Sequence, residues 1–426
     1  MNTRDRALPV LRPGHDKPRG RSPFGMAAPS IGLALAYAVA LAVWLAVGDR
    51  LPGGRWFAVH LFTLGVLTNL VLTFSEHFSR TVTRTDGERV AMWPLVTNVG
   101  ILLVLVGLPG GHRWLLATGA TIVTGSVFAA YVRIRRMRRD AIGARFAWIA
   151  RVYERAHGAF IHGAILGALM GTGLVSGRWY GSARIAHLHA NVLGWGGLTL
   201  LATLVFFGPT MARTRIEPGA DERAARALRY GATGLSIAVI LLLFTAFEGT
   251  AGVVIRVAAA VALGAYAVAG IMVCVPVGRA VWRTKPTASR PLVVAVCVWL
   301  PAVAMADVVI VAMGAWRWLD PLGVAALAGV LAQAILATLV YLAPMLRGRS
   351  TVARDTIRRR LEIGTRARAA TYQLGVTASV LGAAGIGMEM PLVTIGASVM
   401  AVTLLATATV ALWTIRSSEP VSPAGP

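Results

Sequence analysis

The chain has 426 residues, 56% of them hydrophobic and only 14% charged, with a mean hydropathy of +0.66. Soluble domains carry about a quarter charged residues, so nothing larger than a loop is left for a soluble domain here. The net charge of +24 does not point to a nucleic-acid partner, because the basic residues form short clusters between apolar blocks and no aromatic-interleaved basic surface occurs.

In chain order, residues 1–27 are Arg/Pro-rich and polar and read as a disordered basic cytoplasmic tail. Apolar blocks follow at 28–47, 56–76, 91–108, 113–132, 156–176, 186–208, 229–247, 249–275, 291–313, 320–343, 369–388 and 391–413. Each is long enough to cross a bilayer, which takes about 20 helical residues. The first is too long for a signal-peptide core and lacks a small-x-small site before Asp49, so it reads as a retained helix. The expectation is an all-α, polytopic membrane protein with a twelve-helix domain over 28–415 and a cytoplasmic tail over 416–426.

Charge sets the orientation. Every second connection, together with both tails, carries all but seven of the 42 basic residues; the seven are Arg50, Arg55, Arg113, Arg178, Arg184, Arg256 and Arg317. The positive-inside rule then puts both termini in the cytoplasm of a bacterial inner membrane. Trp44, Trp56, Trp114, Trp179, Trp316 and Trp318 fall at the outer ends of the blocks, and Trp93, Trp148, Trp282 and Trp413 at the inner ends, as in an aromatic belt. Leu166-Gly167-Ala168 recurs as Leu381-Gly382-Ala383, and Arg151 as Arg366, at one common offset six blocks on. That spacing suggests a six-plus-six pseudo-repeat, although Gly/Ala/Leu-rich helices also match by chance.

Histidine placement carries the functional signal. Apart from His15, the other seven of the eight histidines lie between His60 and His189, so a histidine-bearing half (about 28–213) precedes a histidine-free half (about 214–415). Imidazole within a membrane helix is costly and usually faces an interior site. Block direction sorts them into an outer group of His60, His187 and His189 and an inner group of His77, His157 and His162, with His60 and His77 about 25 Å apart along one helix. His112 falls in a short outer loop and reads as solvated. His60, His162 and His189 each begin the pattern His-x-x-x-Leu-Gly, ending at Gly65, Gly167 and Gly194. Glycine there gives clearance for a macrocycle, or simply tight packing around a hydrogen-bonded histidine. His187 and His189 point to nearly opposite helix faces, with Asn191 and Gly194 on the face of His187. Histidines on facing helices suit bis-imidazole ligation of a b-type haem; copper or zinc held by His60, His187 and His189 is the other metal reading.

Two stretches add a resemblance. Arg55-Trp56-Phe57-Ala58-Val59-His60-Leu61, running through Gly65 and Asn69 to Ser75-Glu76-His77-Phe78, is one. His187-Leu188-His189-Ala190-Asn191-Val192-Leu193-Gly194-Trp195, running to Pro209-Thr210-Met211-Ala212-Arg213-Thr214-Arg215, is the other. Both resemble the membrane region of actinobacterial multicopper oxidase and copper nitrite reductase-like fusion proteins. More distantly they are similar to haem-copper oxidase subunit I and the NnrS family. The resemblance implies haem or copper binding at His60 and His187-x-His189, a redox setting, and quinol and a cupredoxin or other outer-face protein as partners. No cupredoxin domain follows the last block, and there is neither a His-His pair nor any histidine beyond His189. An oxygen-reducing binuclear centre is therefore not implied.

Other polar residues are fewer. Asp307 lies inside the ninth block and reads as a proton or ion path or as a hydrogen-bonded structural carboxylate. Gln333 suits an interhelical hydrogen bond, and Met388-Glu389-Met390 offers two thioethers to Cu(I) or to packing. Cys274 and Cys297 form no CxxC or CxxCH, which excludes c-type haem attachment and a zinc ribbon; each reads as a buried, inert thiol. The expected function is a haem-binding or copper-linked membrane electron-transfer protein, with catalysis left open. A twelve-helix transporter or metal-handling permease and a non-catalytic partner subunit are the alternatives.

Overall fold

The computed structural model describes residues 23–47, 53–85, 92–141, 145–347, 350–386 and 392–403. Residues 1–22 of the expected tail at 1–27, the expected tail at 416–426, and Met388-Glu389-Met390 lie outside them, whereas residues 23–27, expected in the tail, form the first turn of a helix. Among the described residues the fold is all-helical, without a strand. The helices are α1 (Pro23–Val47), α2 (Gly54–Thr83), α3 (Trp93–Gly107), α4 (Arg113–Asp140), α5 (Ala147–Gly171), α6 (Arg178–Met211), α7 (Ala220–Leu242), α8 (Gly249–Trp282), α9 (Arg290–Met313), α10 (Trp316–Met345), α11 (Thr351–Glu362), α12 (Thr365–Ala383) and α13 (Leu392–Thr403).

Eight of these, α1, α2, α4 and α6 to α10, are long and apolar enough to cross a membrane. The chain is a multi-pass helical membrane protein. α3 and α13 are apolar but shorter, and α5 carries Arg151, Glu154 and Arg155 in its first half. α11 is a short basic helix that starts at a Ser350 cap and tucks Ile357 and Leu361 against Val340 and Ala288.

Several helices outrun their apolar blocks. α4 continues to Asp140, α5 begins at Ala147, α6 at Arg178, and α8 reaches Trp282. The extra turns are polar, and at the basic ends ion pairs between helices hold some of them. Glu76 on α2 takes Arg80 at 2.6 Å and Arg133 of α4 at 3.1 Å; Arg138 of α4 pairs with Glu154 of α5; Arg145 takes Asp221 of α7 at 2.7 Å. Sequence-adjacent helices pack in antiparallel pairs, α3 on α4, α4 on α5, α7 on α8 and α8 on α9. The main apolar core runs from Ala34 on α1 to Ala369 on α12, so the histidine-bearing and histidine-free halves share it.

α6 is the central element: 67% of its most apolar window is buried, against 22–50% for the other seven long spans. It shares a feature with α2 and α10. Each contains a π-helical segment, Leu61–Leu67 in α2, His189–Gly197 in α6 and Ala325–Ala332 in α10. Such insertions re-aim side chains and are frequent at functional sites. A glycine sits near the middle of each, Gly65, Gly194 and Gly329, and each is pressed by the preceding helix in sequence. A Cβ on Gly65 would run into the ring of Tyr37 of α1, one on Gly194 would lie 2.6 Å from Ala159 Cβ of α5, and one on Gly329 would lie 3.1 Å from the Trp299 ring of α9. The N-terminal ends of the same three helices meet at Asp320 of α10, which takes Arg55 of α2 at 3.2 Å and Arg184 of α6 at 3.8 Å.

Candidate cofactor site

The closest pair of histidines joins α2 to α6. His60 is the last residue before the α2 π segment, and His187 lies two residues before that of α6. Their ring centres are 6.4 Å apart and their planes 22° from parallel. His60 Nδ1 is 2.7 Å from the Trp56 carbonyl one turn back, and the Trp56 ring stacks on the imidazole at 4.1 Å. His187 Nδ1 is 2.7 Å from the Gly163 carbonyl of α5. A carbonyl only accepts, so each Nδ1 carries the proton and each Nε2 holds the lone pair. Fixing the distal N–H on a backbone carbonyl is how proteins orient a ligating histidine. Both rings are half-buried.

The seat for His187 is cut into α5. The ring would lie 2.8 Å from a Cβ at Gly167, and the Asn191 amide would overlap one at Gly163. Asn191 donates to the His187 carbonyl at 2.9 Å. Descending α6, His187, Asn191 and Gly194 meet Gly167, Gly163 and Ala159 of antiparallel α5, a small-residue ladder that brings the two backbones close. The glycines of the three His-x-x-x-Leu-Gly motifs are thus filled by neighbouring side chains: Gly65 by Tyr37, Gly167 by His187, Gly194 by Ala159.

His189 faces elsewhere. Its Nδ1 donates to the Ile185 carbonyl at 2.8 Å, and its Nε2 lies 3.0 and 3.1 Å from the two carboxylate oxygens of Asp307 on α9. Both residues are buried, at 4% and 1% exposure. An imidazolium with an aspartate, or a neutral imidazole with a carboxylic acid, satisfies this geometry, and either is net neutral, as a membrane interior requires. With Nε2 committed to Asp307, His189 does not converge with His60 and His187. Among the described residues no three His, Cys, Asp or Glu side chains gather as a metal-binding group.

The inner group is dispersed. His157 is fully buried, with Nδ1 2.7 Å from the Tyr153 carbonyl, Nε2 3.5 Å from Ser75 Oγ of α2, and its ring edge-on to Trp195 at 4.6 Å. His162, on the same helix, is exposed, with Nδ1 2.7 Å from the Gly158 carbonyl. Because α5 starts nine residues before its apolar block, His162 lies past the helix midpoint, beside Gly163 and therefore level with Asn191. His77 stands in the C-terminal part of α2 beside Phe78. His112 is the residue just before α4.

Sequence reasoning left Asp307 without a partner. Its depth in the outer half of α9, matching that of His189, was the available signal. The Trp56 stack follows from the i,i+4 spacing of Trp56 and His60. Gln333 meets its expectation of an interhelical bond: it accepts from Gln373 of α12 and donates to the Leu292 carbonyl of α9 at 3.1 Å. Neither protein-family models nor curated proteins give a match to this chain.

Proposed function

We propose that the chain is a twelve-helix membrane electron-transfer protein in which His60 of α2 and His187 of α6 would hold a b-type haem. The observation that carries this reading is the His60–His187 pair. With a metal–nitrogen bond of about 2 Å on each side, two imidazoles that hold one metal end-on between their Nε2 atoms have ring centres roughly 6 Å apart. The separation of 6.4 Å and the carbonyl-anchored Nδ1 atoms suit that use. A haem held there would supply a one-electron carrier in the outer half of the membrane. This chain's own residues contribute the rest. Trp56 and Gly163 fix the ring orientations, the glycines of α5 admit His187, and Asn191 braces the α6 backbone. Electrons would pass between quinol and a cupredoxin or other redox protein at the outer face, in a copper or nitrogen-oxide setting like that of the proteins it resembles. Copper also accepts imidazole ligands, so metal and haem analysis belong together.

Twelve crossings follow when α3, α5, α12 and α13 join the eight long spans, with both termini cytoplasmic by the arginine distribution. The π segments of α2, α6 and α10 recur every four crossings, which favours three four-helix units over two six-helix halves. The decisive experiment is a reduced-minus-oxidised spectrum of protein purified after expression with adequate haem; absence of b-type bands ends this reading.

The His189–Asp307 pair favours a second reading, a twelve-helix permease, since transporters place ionisable pairs in the membrane interior. Haem-free protein that drives uptake of copper or an organic substrate into proteoliposomes, with uptake abolished by Asp307→Asn, selects it.

A further inference from the structure

The chain has two cysteines, and they meet. Cys274 on α8 is fully buried and Cys297 on α9 is 8% exposed; both are free thiols, and their side chains lie within interaction range of each other. One turn beyond Cys274, the bare backbone of Gly278 lies against Cys297: a Cβ there would be 3.2 Å from Cys297 Cβ and 3.8 Å from its Sγ. Glycine at that point lets α9 close on α8 at the level of the two sulfurs. A buried residue touches roughly ten others, so two cysteines placed at random in a chain of this length would meet about once in forty.

We propose that Cys274 and Cys297 form a redox-active dithiol that closes to an intramembrane disulfide, with a lipid-soluble quinone as oxidant. Two S–H bonds break and one S–S bond forms, while two protons and two electrons pass to the quinone to give quinol. Every species is neutral, as a site about 10 Å inside the inner ends of α8 and α9 requires. A Cu(I) bis-thiolate would instead carry a net negative charge in the apolar interior, which is costly without a counter-ion. The bridge would pin α8 to α9, the helix that carries Asp307 less than three turns further on. None of this depends on haem at His60 and His187.

The test uses full-length protein in lipid nanodiscs, kept anaerobic, with and without a short-chain benzoquinone. The protein is then denatured, alkylated and weighed intact. Untreated protein is expected to take up two alkyl groups. Quinone-treated protein is expected to take up none and to weigh two hydrogens less, with both alkylations restored by dithiothreitol. In Cys297→Ser the remaining thiol is expected to stay alkylatable after quinone. Two alkylations persisting in quinone-treated wild type, or a quinone adduct on either sulfur, would overturn the proposal. So would protection by Cu(I) alone, which would make the pair a metal site.

Discussion

His60 and His189 occupy the same place in two similar helices, and they do different things there. Each stands five residues before the glycine of a π segment, and each donates Nδ1–H to the carbonyl one turn back, Trp56 or Ile185. At the α2–α6 junction the next imidazole is His187, the rings are half-buried, and neither Nε2 is committed to an acid. At the α6–α9 junction the facing group is Asp307, the pair is sealed from its surroundings, and Nε2 is taken. The register fixes where an imidazole stands; the residue across the interface decides whether it can bind anything. In α10 the same place holds Val324, five residues before Gly329, and no imidazole stands there.

The two junctions should respond oppositely to mutation. Asp307→Ala leaves His189 buried without its partner and is expected to cost about 3–5 kcal/mol, read as a lower midpoint in detergent unfolding. His189→Leu with Asp307→Leu removes both polar groups and is expected to recover most of that loss. A double variant no more stable than the single would show that the pair is not a self-contained unit. Next come the π-segment glycines, where alanine should cost about 1–3 kcal/mol in the order Gly65, Gly194, Gly329, following how tightly Tyr37, Ala159 and Trp299 press on them. A reversed order would break the equivalence of the three segments. His60→Leu in cofactor-free protein gives up one hydrogen bond and should cost about 1 kcal/mol, well below Asp307→Ala. The smallest effect belongs to Arg55→Ala: Arg55 is 74% exposed at its pair with Asp320, and surface pairs contribute at most about 1 kcal/mol.

Helix positions were legible in the sequence wherever hydropathy alone decides them. Helix ends were not. The basic turns of α4 and the start of α5 are polar in sequence, yet helical because Arg133, Arg138 and Glu154 find partners on neighbouring helices, which a linear reading cannot see. The position of each histidine along its helix followed from 1.5 Å per residue, except for His162, displaced by the longer α5. The divergence of His187 and His189 was legible too, since two residues turn a helix by about 200°. Their partners were not, because Gly163 and Asp307 come from other helices. The π segments left no mark in hydropathy, and the side chains that press on their glycines, Tyr37, Ala159 and Trp299, come from other helices.

The most direct test of the central claim is the reduced-minus-oxidised spectrum of wild type, His60→Ala, His187→Ala and His189→Ala, each purified with haem supplied and each checked for folding. Wild type should give b-type bands, His60→Ala and His187→Ala should lose them, and His189→Ala should retain them. Loss on replacing His189 with retention in His60→Ala or His187→Ala, or no bands in wild type, would contradict a haem held between α2 and α6.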